Sequence, residues 1–542
     1  MKRHPVKRAL RATGRAIQAV EFWLTPERVT RRRTMANNLK FQELRLSSRE
    51  AGDLDRFRGS KWITSRLSPD SEAEADLEDI RDRARDLYLN DPIFAGYVKS
   101  RVTQVVGMGF TLQARIKEGD GISAERARDL NKTLEALWKR QARRIGISGT
   151  RSFWQIQRLA QRCLDRDGEA FVVMSDRPVK GKPVPLALEV VTVSRVATPP
   201  EKESNPRIRL GIERDVYGVP THYYIRVTDP DDTKLVSETF RRVPAARVMH
   251  LYEEEEPGQS RGCPSASCVL NTLKDLKDYN EAALMKRQTE ACFAAFVEVA
   301  EGASPAVVAA AASHDTNSNN NRLQELVPGT IEYLGAGEKI TFATPSGNGA
   351  DQANYLDSQH HGVAAGLNFP YEQLTKAWGK ANYASSRTAL LEGHAEARVW
   401  QKLQTETICL PVWEEFVLQC IQARLVEITA VEYRKTPWLF DACAFIPTGW
   451  DWVDPLKEVK AANEAIGGGI ECRTDVVQSR GQDDEEVQER RVQEQMRDAD
   501  NEKRVKDYRK KLGLDEPPEP KPGEAKPDKP EEDDGPEEEE GE

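Results

Sequence analysis

A chain of 542 residues is long enough for about three average domains, and 39% hydrophobic content is adequate for real cores. Its net charge of −9 is laid down unevenly: residues 1–33 are strongly basic (Arg8, Arg11, Arg15, Arg31, Arg32, Arg33), whereas the region after Asp515 is rich in Pro, Glu and Asp and ends in EEEEGE. This balance excludes a high-affinity, histone-like or repressor-like DNA binder, and both ends read as solvated disorder; the basic end keeps nucleic acid or an acidic scaffold surface open as a partner.

Ordered structure is expected to start near Trp62-Ile63. A helix follows from Ala73 to Asn90, where Asn90-Asp91-Pro92 breaks it, and a second helix carries Ile93, Phe94, Tyr97 and Val98 up to Gly107. A strand at Phe110–Ala114 precedes a helix with Leu134, Leu137 and Trp138, then a helix from Phe153 to Leu164. Gly168 ends that unit and opens a strand over Ala170–Met174. Alternation or β-branched runs mark further strands at 186–193, 207–212, 222–226 and 247–252, so this region is a mixed α+β domain.

An exposed turn, EEEEPGQSRGCP, then leads into a long helix. Gly258 and Gly262 loosen the turn, Pro264 suits a first helical position, and Leu273, Leu276, Tyr279 and Ala283 recur at helical spacing. From Pro264 to Val297 such a helix would reach roughly 50 Å at 1.5 Å per residue. Past it come an Asn-rich insert at 313–322 and strands at 330–334 and 339–343. Next are a helix at 355–366, a loop at 370–384, and one very long helix from Ser385 to about Ile428 that should kink at Pro411. A returning strand is expected at 438–446, a helix at 455–466 stopped by Gly467–Gly469, and a charged helix from Asp483 to Leu512.

The stretch AIQAVEFWL is broken by Gln18 and Glu21 and does not read as a signal peptide; the apolar run near 291–312 is interrupted by Glu298, Glu301 and Pro305, short of the ~20 residues a membrane helix needs. Eight cysteines lie scattered without a C-x-x-C pair, so no zinc ribbon or disulfide framework is indicated, and they read as buried thiols in a reducing cytoplasm. Enzymatic signatures are missing as well. Gly335-Ala336-Gly337-Glu338-Lys339 lacks the spacing and hydroxyl of a phosphate-binding loop, and His360 and His361 would point to different helix faces. Asp165, Asp167 and Glu169 form the best carboxylate cluster; a divalent ion could sit there, but the ligand ladder of a calcium loop is lacking and solvated acids at a helix end are the simpler reading. Likewise His250 reads as a surface or core histidine and Glu253–Glu256 as a solvated loop. No catalytic residue, metal or cofactor is expected.

Six segments stand in one order along the chain: ARDLYLNDPIFAGYVKSRVTQVVGMGF (84–110), DGEAFVV (167–173), GIERDVYGVPTHYYI (211–225), HLYEEEEPGQSRGCP (250–264), NFPYEQLTKAWGKANYASSR (368–387) and DWVDPLKEVKAANEAI (451–466). Each alone could be a turn or a cap. As a collinear set over roughly residues 50–500 they resemble the lambda-type portal proteins of tailed bacteriophages. That resemblance implies a non-enzymatic subunit of a ring, usually dodecameric, at one capsid vertex of a virion assembled in the host cytoplasm. Double-stranded DNA would be packaged and ejected through the ring. Terminase, the major capsid protein and scaffold, and head-completion proteins would be its partners, with no membrane involved.

The fold so implied is α+β: a basic arm (1–60), a mixed α/β wing (61–262), a stem helix (263–297), a clip (298–350), a second stem helix (351–366) and a channel loop (367–384). A kinked long helix with wing return and crown (385–480) and a charged helix with an acidic tail (481–542) complete it. In the channel loop, Lys376 and Lys380, with Arg387 just inside the next helix, are the cations that repetition around a ring would turn into a sparse collar for passing phosphates; solvation, or pairing with acids, stands open beside that reading. The alternatives from other classes are a metal-dependent nuclease or hydrolase using Asp165, Asp167 and Glu169, and a non-ring capsid or scaffold protein. Because a Pro-rich acidic segment cannot bury enough apolar surface to order itself, a chain lacking Pro517–Glu542 should assemble as the full chain does, with unchanged sedimentation.

Overall fold

The computed structural model describes residues 68–119, 122–179, 181–228, 239–292, 296–299, 338–341, 349–380, 382–450 and 454–512. The basic arm, the start of order near Trp62, the Asn-rich insert, the strand expected at 330–334 and the acidic tail lie outside them. The chain divides into two units, Met1–Glu72 and Ala73–Glu542, and the larger holds all the packing described below.

Helix α1 (Pro69–Asn90) stops where Asp91-Pro92 begins α2 (Pro92–Val105). Proline sits at the first position, and the Asp91 carboxylate accepts the Phe94 N–H at 2.7 Å, capping a donor the helix cannot satisfy. Strand β1 (Thr111–Ala114), α3 (Ala124–Ala142) and α4 (Phe153–Asp167) follow. Gly168, at φ 85°, turns the chain into β2 (Glu169–Asp176). Strand β2 is central to a three-stranded antiparallel sheet, between β3 (Leu186–Val191) and β8 (Val248–Tyr252). A second sheet is built from β4 (Ile208–Arg209), β5 (Ile212–Arg214), β6 (Pro220–Arg226) and β7 (Phe240–Pro244). The single strand expected at 207–212 is thus a tight hairpin: Leu210 and Gly211 both take positive φ and reverse the chain.

Alternation on β2 explains why one strand organises two cores. Ala170, Val172 and Met174 point into a large cluster with α3, α4 and the C-terminal helices. Phe171 and Val173 point the other way, against Ile212, Tyr223, Ile225 and Val243 of the second sheet. At the centre of the large cluster Trp138 meets Phe153, Trp413, Phe416 and Phe445 edge-on, with ring centroids 5.2, 5.9, 5.2 and 6.1 Å away. A third cluster joins α1 and α2 to the helices that follow the turn at 253–264.

Several expectations are corrected there. The long helix is α5 (Leu270–Cys292), preceded by a 3₁₀ turn at Ser265–Cys268, so Pro264 does not start it and Val297 does not end it. The period-two run Phe296–Val299 is instead strand β9, paired with β10 (Glu338–Thr341). Helix α6 (Gly349–Gly366) is longer than expected at its start. The 370–384 loop contains a helical turn, α7 (Tyr371–Thr375), and a 3₁₀ turn at Trp378–Lys380. Helix α8 (Tyr383–Gln404) begins two residues early, because Asn382 and Ser385 exchange side-chain-to-backbone hydrogen bonds of 2.8 and 3.1 Å at its N-terminus.

The irregularity tied to Pro411 is a π-helical turn at Thr405–Cys409, one residue ahead of α9 (Leu410–Gln422). Widening the helix there removes the clash between the proline ring and the preceding turn, and Pro411 becomes an early residue of a fresh segment that ends at Gln422 rather than Ile428. Helix α10 (Ala430–Lys435) precedes the returning strand expected at 438–446, and α11 (Pro437–Phe440) replaces its first residues. Only β11 (Cys443–Ile446) returns, antiparallel to β1. Helices α12 (Pro455–Gly467), α13 (Arg473–Ser479) and α14 (Asp484–Lys511) close the described chain. Among the cysteines, Cys409 and Cys420 are buried but Cys268 and Cys472 are exposed, since each sits at a helix entrance outside the clusters.

Trp413 is fully buried and its indole N–H donates to the Asp441 carbonyl at 3.1 Å. Trp413→Ala should cost about 3–5 kcal/mol through the cavity it leaves, read as a lowered midpoint in chemical denaturation.

Candidate functional site

Two places on the chain hold the residues that chemistry or charge singled out. At the first, Asp165, Asp167 and Glu169 straddle the α4–β2 junction, and all three are buried rather than solvated. Successive odd positions across a helix end point in different directions, so each carboxylate meets its own arginines. Glu169 Oε1 accepts from Arg81 Nη2 at 2.7 Å and from Arg261 Nε at 2.7 Å; its Oε2 accepts from the Gly262 N–H at 3.0 Å and faces His250 Nε2 at 2.8 Å. Asp167 accepts from Arg85 at 3.0 Å and from Arg166 at 2.9 and 2.6 Å. Asp165 accepts from Gln161 at 2.9 Å and lies 3.6 Å from Arg101, whose guanidinium rests 4.9 Å from the centre of the Trp400 ring.

Burial by itself would raise the Glu169 carboxyl, but the Arg261 and Arg81 guanidinium groups and the His250 hydrogen bond outweigh it and hold the group well below the usual carboxylate range. Burial lowers His250, and the Glu169 contact offsets this only in part, so the imidazole is neutral and donates from Nε2. Asp165 is pushed up to about 6 by burial against the pull of Arg101. Among the described residues no group of three or more His, Cys, Asp or Glu could hold a metal ion. The cluster is a clamp. Arg81 also donates to the carbonyls of Asp167 and Gly262, and Arg261 donates to those of Val196, Leu210 and Val193, so α1, α4, β2, the second sheet and the 259–264 turn are joined through one carboxylate. Sequence reasoning found the acids and missed Arg81 and Arg261; one of three arginines on a charged helix carries no signal of its own, and the adjacent Gly262 was the only mark of Arg261.

The second place is the segment between α6 and α8. Helix α7 is anchored by buried Leu374 and by Gln373, which bonds Gln104 of α2. Lys376 ends α7 in the left-handed region at φ 59°, and its ammonium donates to Ser100 of α2 at 3.2 Å. Arg387, one turn into α8, lies 3.7 Å from Glu458 of α12. The backbone of Lys380 closes the 3₁₀ turn, and its side chain lies outside the described part. Exposed aromatics flank it: Trp378 and Tyr383. Lys376 and Arg387 reach different partners of their own chain.

A family model described as phage portal protein, lambda family, matches residues 56–401. A probable portal protein of Halomonas phage phiHAP-1 is 23% identical over 425 residues, covering 76% of this chain and 79% of that one. Portal protein B of Escherichia phage lambda is 22% identical over 445 residues, covering 76% and 83%, and the portal protein of Escherichia phage N15 is 22% identical over 442 residues with the same coverage. Among solved structures, a chain from the neck of an empty gene transfer agent particle is similar at a TM-score of 0.40 and 14% identity, over 75% of this chain and 93% of that chain.

Removing the Glu169 charge leaves two buried guanidinium groups without their counter-ion. Glu169→Gln should therefore destabilise the protein by about 3–5 kcal/mol in denaturant titrations, and Mg²⁺, Mn²⁺ or Ca²⁺ should leave the wild-type melting temperature unchanged.

Proposed function

This chain belongs to the lambda family of phage portal proteins, and from that membership we propose that it is the portal subunit of a virion. Copies of it form a ring at one capsid vertex; double-stranded DNA enters through the ring during packaging and leaves through it on ejection. The match over residues 56–401 carries the reading. The solvent face of α8 supports it: Ala384, Thr388, Leu391, Ala395 and Val399 follow one another at helical spacing, and Leu391 and Val399 are each 58% exposed. Four turns of small and apolar residues facing water need a neighbour, and a ring supplies one.

In this reading residues 61–262 are the wing, α5 falls within the first stem segment 263–297, α6 spans the second, 351–366, and starts two residues ahead of it, the clip lies between them at 298–350, and 367–384 is the channel loop. The kinked pair α8–α9 leads on to a crown. The ring is a dodecamer assembled in the host cytoplasm and has no catalytic activity of its own; terminase supplies the packaging work, and capsid, scaffold and head-completion proteins dock on it. The Glu169 clamp gives no support to the nuclease alternative, since its carboxylates are engaged by arginines. Lys376, Lys380 and Arg387 form the sparse collar that centres the duplex, weak enough to release each phosphate as it passes.

Electron micrographs of purified protein should show annular particles; a monomer at all concentrations, in low and high salt, would overturn the portal reading. Lys376→Ala combined with Lys380→Ala should keep the rings and lower the DNA retained in packaged particles, and unchanged retention would reject the collar while leaving the ring.

A further inference from the structure

Between β5 and β6 the second sheet holds apolar side chains out in water. Val216, Tyr217 and Val219 are 73%, 88% and 55% exposed. Their turn is tightly closed by Asp215. Its Oδ1 accepts the Tyr217 and Val219 N–H groups at 2.8 and 2.9 Å, and its backbone N–H donates to the Val219 carbonyl at 3.0 Å. Gly218 supplies the positive φ of 84° that the reversal needs, and a Cβ there would meet nothing within 4 Å. The Tyr217 hydroxyl has no hydrogen-bond partner among the described residues.

The same protomer carries a hollow of matching chemistry. A cavity of about 510 Å³ opens between α6, α7 and α8, walled by Ala364, Phe369, Pro370, Ala395 and Val399. Two carboxylates also line it. Glu396 is held by Arg101 at 3.5 Å and by the Trp400 indole N–H at 2.8 Å, whereas Glu392 meets no donor or cation among the described residues. No hairpin residue lines this hollow. The hairpin grows from the sheet packed on Phe171 and Val173, while Ala364 and Phe369 belong to the cluster of α1, α2, α5 and α6.

Resting on the portal reading above, we propose that the 216–219 hairpin tip of one subunit seats Tyr217 in the α6–α7–α8 hollow of a second copy of this chain, with the Tyr217 hydroxyl donating to Glu392. A tyrosine brings a flat apolar body and one O–H; the hollow offers apolar walls and one uncommitted acceptor. Because the turn is already closed by its own hydrogen bonds, seating it orders little that was free. Knob and hollow are different surfaces of one chain, so the contact is heterologous: each copy gives its hairpin to one neighbour and receives the hairpin of another, the kind of interface that closes into rings. Val399, in the wall of the hollow, is also one of the exposed residues of α8, so a seated hairpin covers part of that face.

The test places a photo-reactive benzoyl-phenylalanine at position 217 of the full-length chain and irradiates purified rings and assembled particles. Chain-to-chain adducts that map to 361–371 or 392–399 of the second copy are the expected result. Adducts only to other residues of a second copy, only within one chain, only to another particle protein, or none at all, in rings that have formed, overturn the inference while the portal reading stands. Failure of the unsubstituted chain to form rings would remove the portal reading and this inference together, before any irradiation. A second measurement reads the strength of the contact. Tyr217→Ser should keep the circular dichroism and melting temperature of the dissociated chain, since the side chain it removes is exposed, and raise by about tenfold the concentration at which rings fall apart in sedimentation. Val399→Asp should act alike. Tyr217→Phe and Glu392→Ala should each weaken the rings by a smaller factor, and the two together by no more than either alone. Tyr217→Ser rings that dissociate at the wild-type concentration would overturn the inference, and losses that multiply in the paired variant would overturn the Tyr217–Glu392 contact.

Discussion

A single buried carboxylate sets the terms for much of this fold. Glu169 cannot stay charged out of water unless donors converge on it, and they come from α1, from β8 and from the turn at 259–264, up to 93 positions away from it in the chain. Their convergence has a backbone counterpart. A Cβ on Gly168 would stand 2.2 Å from the Cys263 carbonyl carbon, and one on Gly262 would stand 2.1 Å from the Gly168 oxygen. The two segments cross main chain to main chain, which only glycine at both positions permits. Ion pairs of this kind add little net stability over an apolar replacement; what they impose is geometry, since any other approach of the turn leaves two guanidinium groups unmatched.

Geometry at that crossing propagates in two directions. Along β2 it fixes which residues face the large cluster and which face the second sheet, because a slip of one position would exchange the two sets. Past Gly262 it aims the chain into the 3₁₀ turn and α5, whose Val269, Leu270 and Leu273 pack with α2 and with the end of α6. Helix α6 delivers α7 and the tip at Trp378. The exposed segment is thus positioned from a buried charge far away in sequence, through stiff elements in series.

Element existence was largely legible in the chain. Strong periodicity marked α3, α4 and the helices around Asn90-Asp91-Pro92, and collinear motifs pointed to the family whose model covers residues 56–401. Misreadings arose where local and tertiary signals compete. Helical spacing of alanines carried the α5 prediction through Phe296–Val299, where pairing with β10 wins. Proline at 411 correctly announced an interruption, but its relief one turn upstream depends on backbone geometry that no residue type encodes. The acids at 165, 167 and 169 looked like a surface turn because their partners, Arg81, Arg101 and Arg261, are remote. The same reason hid the engagement of Lys376 and Arg387: Ser100 and Glu458 are 276 and 71 positions away.

The π turn between α8 and α9 has a consequence for how chain length can vary. It houses one residue more than a regular helix would over the same span, so it stores a residue without breaking the helical run. Deleting one position from Thr405 to Cys409 would restore regular winding with α9 in its present phase to α8, whereas winding every present residue as regular helix would turn α9 by about 100° relative to α8. Trp400 and Gln401 on one side and Trp413 and Phe416 on the other are all buried, and that rotation would carry one pair out of the core. The local relief of a proline and the angular phase of two helices are therefore one feature: while the extra residue is present, the wide turn is what keeps the aromatic residues on both sides of it in one core.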